Sequence, residues 1–395
     1  MKRIAAKYIY TLDGFAPIVN GFVETDDEGT VVGVGECEDF GSEPVVWHGA
    51  VVPGFVNAHC HVELSHLKGK FRKGSGMAGF IDQINAMRDS SSREEKIMAL
   101  SREMDRMWRA GVSAMADISN CDDSFEVKSS SPMYTRTFIE VFGTEPEDCA
   151  AVIEGARTLR EEAVSCGLDA SITPHACYTM SPELVTAASA EGLASGYLSY
   201  HSQESAQEEE MIASGTGEMA ENRRRAGMSL PPVTGKPSLM YFIDRLVEVH
   251  PAPFGEHVLL VHNVCLTEEA ARAALGVMEN VFWAVCPLSN LFIHDTLPPV
   301  PLMRKFGLDI CVGTDSLSSN DGLDMVREMF CLQENFPEVE TGEILTWACL
   351  NGARFLGKED TLGRIAVGMR PGIVGISDIA ADGRLTSGSR SVRLV

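Results

Sequence analysis

VVPGFVNAHCH, residues 51–61, is a strand-like run that ends in two histidines one residue apart, His59 and His61. Residues at i and i+2 of an extended strand point to the same side, so both imidazoles can reach one point. A lone H-x-H is a weak signal, because the same spacing occurs on solvated strand faces. Four later runs end in the same manner: LDASITPH (168–175) in His175, GYLSYH (196–201) in His201, HVLLVH (257–262) in His262 and LDICVGTD (308–315) in Asp315. Potential ligands gathered at the downstream ends of successive strands are what the mouth of a (β/α)8 TIM barrel presents. The expected fold class is therefore α/β, with one metal-binding mouth. Neutral imidazoles and a carboxylate suit zinc first and iron second.

Working outward, VSAMADI (112–118) and YTRTFIEVF (134–142) read as the second and third barrel strands, and NVFWAVC (280–286) and LDICVGT (308–314) as the last two. Between the strands, residues 93–110, 147–164, 181–192 and 267–278 have helical apolar spacing, with Ser181-Pro182 and Thr267 as start signals. Such alternation implies parallel strands. Both ends differ from this middle. KYIYTL, GFVETD and TVVGVG near the start, and the run from Thr361 to the end, read as short antiparallel strands between turn signals. The expected organisation is a small β-sandwich from residues 1–52 and 361–395 beside a barrel of residues 53–360. The stretch Ser202–Glu256 is long for a strand-to-helix connection and is expected to shape substrate access; a surface elaboration is the alternative.

The composition narrows the function class. A formal charge of −23 over 395 residues opposes binding to phosphate backbones or anionic lipid, so neither nucleic acid nor membrane is expected as a partner. The N-terminus lacks the apolar core of a signal peptide, and no run approaches the roughly 18 apolar residues of a span. Eleven cysteines without C-x-x-C spacing read as reduced thiols, and the expected location is cytoplasmic. Pairing of barrels into a homodimer is left open.

PGFVNAHCH, PHACYTMSPEL, YHSQES, LVHNVCLTEE, CPLSN and GTDSLSSN, in that order, with the closing TLGRIAVGMRPG, resemble the amidohydrolase superfamily in its branch of cyclic-imidate and purine deaminases and triazine hydrolases. The resemblance covers nearly the whole chain. HVELSHL, after the metal pair, is similar to the corresponding region of aminodeoxyfutalosine deaminases and points toward adenine-like rings. The resemblance implies His59, His61, His201 and Asp315 as metal ligands, His262 beside the attacking water, Glu204 as proton carrier and His175 facing substrate. It also places Ser289 and Asn290 near the pocket as substrate-binding candidates. Some members hold two metals bridged by a modified lysine on the fourth strand; residues 168–179 contain no lysine, so one divalent ion is expected.

The chemistry so implied is deamination of an aminated heterocycle, a purine or adenosine-like compound, by water that the metal activates to hydroxide at neutral pH. Asp315 and His262 would orient and deprotonate the water, and Glu204 would protonate a ring nitrogen. Hydrolysis of another C–N or C–Cl bond, with a formimino, alkylamine or halide leaving group, needs the same site and stays open. So does a non-catalytic paralogue of the same fold. Ser318, Ser319 and Asn320 are read either as residues near the pocket or simply as caps of a helix beginning near Gly322, and His66 and His294 as residues able to line the pocket.

Overall fold

A computed structural model describes all 395 residues. The chain starts with β1 (Lys2–Ile9), β2 (Ile18–Thr25), β3 (Val31–Glu36) and β4 (Val46–Pro53). It then enters β5 (Phe55–Cys60), followed by β6 (Val112–Ser119), β7 (Tyr134–Val141) and β8 (Asp169–Pro174). Next come β9 (Tyr197–Ser202), β10 (Phe254–His262), β11 (Met278–Val285) and β12 (Asp309–Val312), and the chain ends with β13 (Ile373–Ser377) and β14 (Arg390–Arg393).

Strands β5 to β12 form a TIM-barrel type fold made of two four-stranded parallel sheets, β5-β6-β7-β8 and β9-β10-β11-β12. The ladders stop short of one continuous ring. At one seam His201 N donates to His175 O at 2.9 Å and Ser199 N to Thr173 Oγ1 at 2.9 Å. At the other, Thr314 N and Asp315 N both donate to His59 O at 3.0 Å, and the Asn57 amide pairs with Thr314. Gly313 packs against His59 so closely that a Cβ would overlap the His59 backbone. Helices lie outside, with Ser92, Ser181 and Thr267 each accepting from a backbone N–H of the first turn.

The two ends of the chain do fold together, but as one six-stranded sheet of order β14-β13-β4-β1-β2-β3, not the two stacked sheets of a sandwich. One face of that sheet gathers Ile4, Ala6, Val23, Val51 and Ile373 into a small core of its own, while Tyr8, Val52 and Ile376 face the main core. A single sheet thus serves two cores. Nor is it wholly antiparallel, since β4 runs parallel to β1. This direction delivers the chain straight into β5.

Residues 51–61 are consequently two strands and not one. The break falls at Gly54, whose N–H bonds Gly372 O at 3.1 Å. A Cβ there would overlap Ser113 Oγ and Pro371 O. Gly54→Ala should therefore destabilise the protein by about 1–3 kcal/mol, seen as a lower denaturation midpoint at unchanged m-value. A midpoint equal to that of the parent would show that this junction has room to spare.

Candidate metal centre and active site

The strand ends converge as the sequence suggested. His59 lies near the end of β5 and His61 directly follows it, His201 is the next-to-last residue of β9, His262 closes β10 and Asp315 follows β12. His61 Nε2 is 3.1 Å from His59 Nε2 and 3.4 Å from His201 Nε2. Asp315 Oδ1 is 3.7 Å from His61 Nε2 and 3.9 Å from His59 Nε2. Nitrogens about 2.0–2.1 Å from a tetrahedral zinc stand roughly 3.3 Å from each other, so these atoms can hold a single divalent ion. Burial lowers the pKa of all three imidazoles, which keeps them neutral with lone pairs free. His201 Nδ1 faces His175 O at 3.1 Å, and donation to that carbonyl leaves Nε2 as the ligand atom.

Asp315 has the left-handed φ of 55°, which turns its carboxylate back over the mouth. Its Oδ2 accepts from Ser289 Oγ at 2.5 Å and from Ser319 Oγ at 2.9 Å. Burial opposes its ionisation, but His61, His262, His59 and the Ser289 hydroxyl outweigh burial and hold its pKa at about 2. The oxygen of Asp315 turned away from the histidines thus already accepts from two donors, which opposes its taking a proton from water. Ser289 and Asn290 are both fully buried and outside the cavity wall. Their polar atoms turn to Asp315 and His262 instead of toward the space where substrate would sit. The helix after Asp315 spans Met325–Asn335 and is capped by Asp324, whose side chain accepts from Val326 N and Arg327 N. Ser319 is therefore not its cap, and Asn320 joins Thr314 O to the Glu328 carboxylate.

Glu204 lies two residues beyond β9. Its Oε2 accepts from Tyr178 Oη at 2.8 Å and its Oε1 lies 3.4 Å from His262 Nε2. The Asn290 amide nitrogen is 3.1 Å from His262 Nδ1 and donates to it, which leaves the ring proton on Nε2, facing Glu204. Burial and then the nearby Asp315 charge raise the pKa of Glu204 well above the usual carboxylate range. Burial pushes His262 down to about 4. Burial thus favours the uncharged form of both members of the pair.

His175 stacks on His201 with ring centroids 4.5 Å apart, and its Nδ1 faces Thr179 Oγ1 at 2.8 Å. Across from it stands Glu140, near the end of β7, a residue sequence reasoning passed over. Glu140 takes an Asn120 amide hydrogen bond at 3.2 Å, its other oxygen is buried without a hydrogen-bond partner, and burial pushes its pKa up to about 8. A lone carboxylate inside the apolar run YTRTFIEVF was the available signal. Neither His66, whose nitrogens face Glu63 O and Arg88 O at 3.0 Å, nor His294 lines this cavity.

These groups line a cavity of about 150 Å³. Its apolar cover is the helix Gly76–Met87, which contributes Met77, Phe80, Ile81 and Ile84. This helix was not anticipated, because glycines at 76 and 79 blur its periodicity. The 202–256 stretch forms three helices, Ala206–Ser214, Gly217–Ala226 and Ser238–Val249. Gln207 of the first accepts from Ala78 N at 3.0 Å, tying this stretch to the cover.

A set of histidines and an aspartate on barrel strand ends, beside a buried Glu–His pair, sets the frame for comparison with known proteins. An adenosine deaminase of Helicobacter pylori is 26% identical over 314 residues, covering 78% of this chain and 74% of its own length. A 5-methylthioadenosine/S-adenosylhomocysteine deaminase of Desulfitobacterium hafniense is 26% identical over 337 residues, covering 83% and 72%. The structure of Helicobacter pylori aminofutalosine deaminase in complex with methylthio-coformycin superposes with a TM-score of 0.81 at 21% identity, covering 100% of both chains. The family model "Amidohydrolase family" matches residues 50–385, and the chain belongs to that family.

Proposed function

We propose that this chain is a metal-dependent aminohydrolase that removes the amino group of an adenine-type ring, with a nucleoside-like compound as substrate. One observation carries the reading: Glu204, whose pKa burial raises, stands between Tyr178 and His262 in the same cavity as His61, His201 and Asp315. The names of the two relatives add support, since both act on adenine nucleosides. The functional unit is a barrel of residues 53–360, flanked by residues 1–52 and 361–395.

His59, His61, His201 and Asp315 would hold one divalent ion, zinc in preference to iron by the general affinity order of divalent metals. Such an ion supplies Lewis-acid polarisation and lowers the pKa of water to about 7. Glu204 delivers its proton to the ring nitrogen next to the attacked carbon, regains one from the attacking water, and relays the hydroxyl proton to the amino group, which leaves as ammonia while the carbon becomes a carbonyl, so charge does not build up on the ring. His262, with Nδ1 fixed by Asn290, holds Nε2–H toward the reacting oxygen and Glu204. Asp315 contributes charge and orientation, its Oδ2 being taken by two hydroxyls. His175, stacked on His201, presents its remaining nitrogen to the heterocycle. Water leaves the covered cavity as the ring enters under Phe80 and Ile84, which strengthens each of these interactions.

Glu204→Gln keeps the shape but cannot deliver a proton. It should lower kcat by roughly 10²- to 10⁴-fold in an adenosine ammonia-release assay, with metal content and KM little changed. A fully metallated variant with parental kcat would remove Glu204 from the mechanism.

Chelation should abolish turnover, and one equivalent of zinc should restore it, while His201→Ala should lose metal and rate together. Elemental analysis giving two ions per chain, both needed for turnover, would overturn the mononuclear reading.

Ser289→Ala removes one of the two hydroxyls on Asp315 Oδ2. The expected loss is roughly 10- to 100-fold in metal affinity or kcat, the usual range for a group that orients a ligand. Parental values of both would mean that Ser319 alone suffices.

A further inference from the structure

Glu208 stands four residues after Glu204, at the third position of the helix Ala206–Ser214. An acid in the first turn of a helix is ordinarily solvated and favoured there by the helix dipole. Glu208 is instead fully buried, at 0% exposure. A buried carboxyl group is costly unless its oxygens find donors, and both donors found here belong to the surroundings of the proton carrier. Its Oε2 accepts from Glu204 N at 2.7 Å, and its Oε1 from Cys177 Sγ at 3.4 Å. Cys177 is the residue before Tyr178, whose hydroxyl bonds Glu204 Oε2 at 2.8 Å. The Glu208 carboxyl thus bridges the two chain segments whose side chains meet in the Tyr178–Glu204 bond.

The anchors of this bridge are themselves fixed. Cys177 N donates to Tyr200 Oη at 2.9 Å, and Tyr200 stacks on Phe242 with ring centroids 3.6 Å apart. Ser205 Oγ accepts from Glu208 N at 3.1 Å and caps the helix. In a capping box the third-position acid returns to the N–H of the capping residue. Here it reaches one residue further back, to Glu204 itself, so its bond serves the loop that carries the acid and not the helix start. The adjacent Glu209 bonds Ser238 and Gln203 instead. We infer that Glu208 is a positioning residue for the proton transfer, holding Glu204 and Tyr178 in register so that the Glu204 carboxyl stays between Tyr178 and His262. The inference rests on the aminohydrolase reading for the reaction that this proton serves.

The test uses the zinc-loaded protein, with ammonia release measured from adenosine and 5′-methylthioadenosine. Glu208→Asp is one methylene too short to span Glu204 N and Cys177 Sγ. It should lower kcat by roughly 10- to 100-fold with KM and zinc content little changed, as a small misplacement of a reacting group does. Glu208→Gln keeps the length and an oxygen for Glu204 N, and should keep most of the parental kcat. In the Glu204→Gln background Glu208→Asp should cost nothing further, because the group it acts through is already gone. Parental kcat in Glu208→Asp, a Gln variant as slow as the Asp variant, or an equal loss in both backgrounds overturns the inference. The carboxyl-carbon NMR signal of Glu204, identified by its absence from Glu204→Gln, is read without turnover. It should move in Glu208→Asp and keep its place in Glu208→Gln; an unmoved signal in the Asp variant overturns the inference. If the parent deaminates neither nucleoside, the aminohydrolase reading fails, and the carboxyl signal then decides the positioning on its own.

Discussion

The two half-sheets of the barrel are joined by a few hydrogen bonds, and at each seam some of them are made by the backbone of the site itself. His59 O receives Thr314 N and Asp315 N at one seam, and His175 O receives His201 N at the other. Closing the barrel and positioning the donor atoms are therefore one event. An ion held between His59, His61, His201 and Asp315 would add a cross-link over the first seam and between the halves, so metal binding and barrel integrity are thermodynamically coupled. The polar residues beneath the mouth serve the same junction. Asn57 bonds Thr314 through both its amide atoms, and Asn320 links Thr314 O to the buried Glu328.

The site concentrates charge in a dry place, and each charge has a stated answer. Asp315 stays ionised because three imidazoles and two hydroxyls face it. Glu204, in the same cavity, meets the same burial with fewer donors and the Asp315 charge, and its pKa is raised well above the usual carboxylate range. Two carboxylates whose pKa values are pushed apart in one cavity would divide the labour between holding and transferring. The buried Lys128, 2.5 Å from Asp117 Oδ2, supports the arrangement from below. Asp117 Oδ1 in turn holds Val62 N at 2.9 Å, immediately after His61.

Much of this was legible because parallel strands buried on both faces read as apolar runs, and a histidine or aspartate at the end of such a run stands out. His59, His61, His175, His201, His262 and Asp315 share one motif position and come together for that reason. What was not legible depends on contacts distant in sequence. Nothing in CPLSN says that Ser289 turns toward Asp315, since residues of one α-helical turn face several directions. The helix Gly76–Met87 and Glu140 escaped because glycines weaken periodicity in the first and the apolar run hides a single acid in the second. The end sheet was anticipated from its alternation, but alternation does not distinguish one sheet with two cores from two stacked sheets.

That end sheet also sets an order of assembly. β4 pairs on one side with β1, which precedes it in the chain, and on the other with β13, where Pro53 faces Ile373 across the whole barrel sequence. The strand that feeds the barrel thus carries an open edge until β13 has been made. Contacts of such long sequence separation form late and slow folding. An unpaired apolar edge held open meanwhile is a site for pairing with another chain. Translation pauses or truncations between β12 and β13 would for this reason act on aggregation in the nascent chain more than on the catalytic mouth, whose strands are already made.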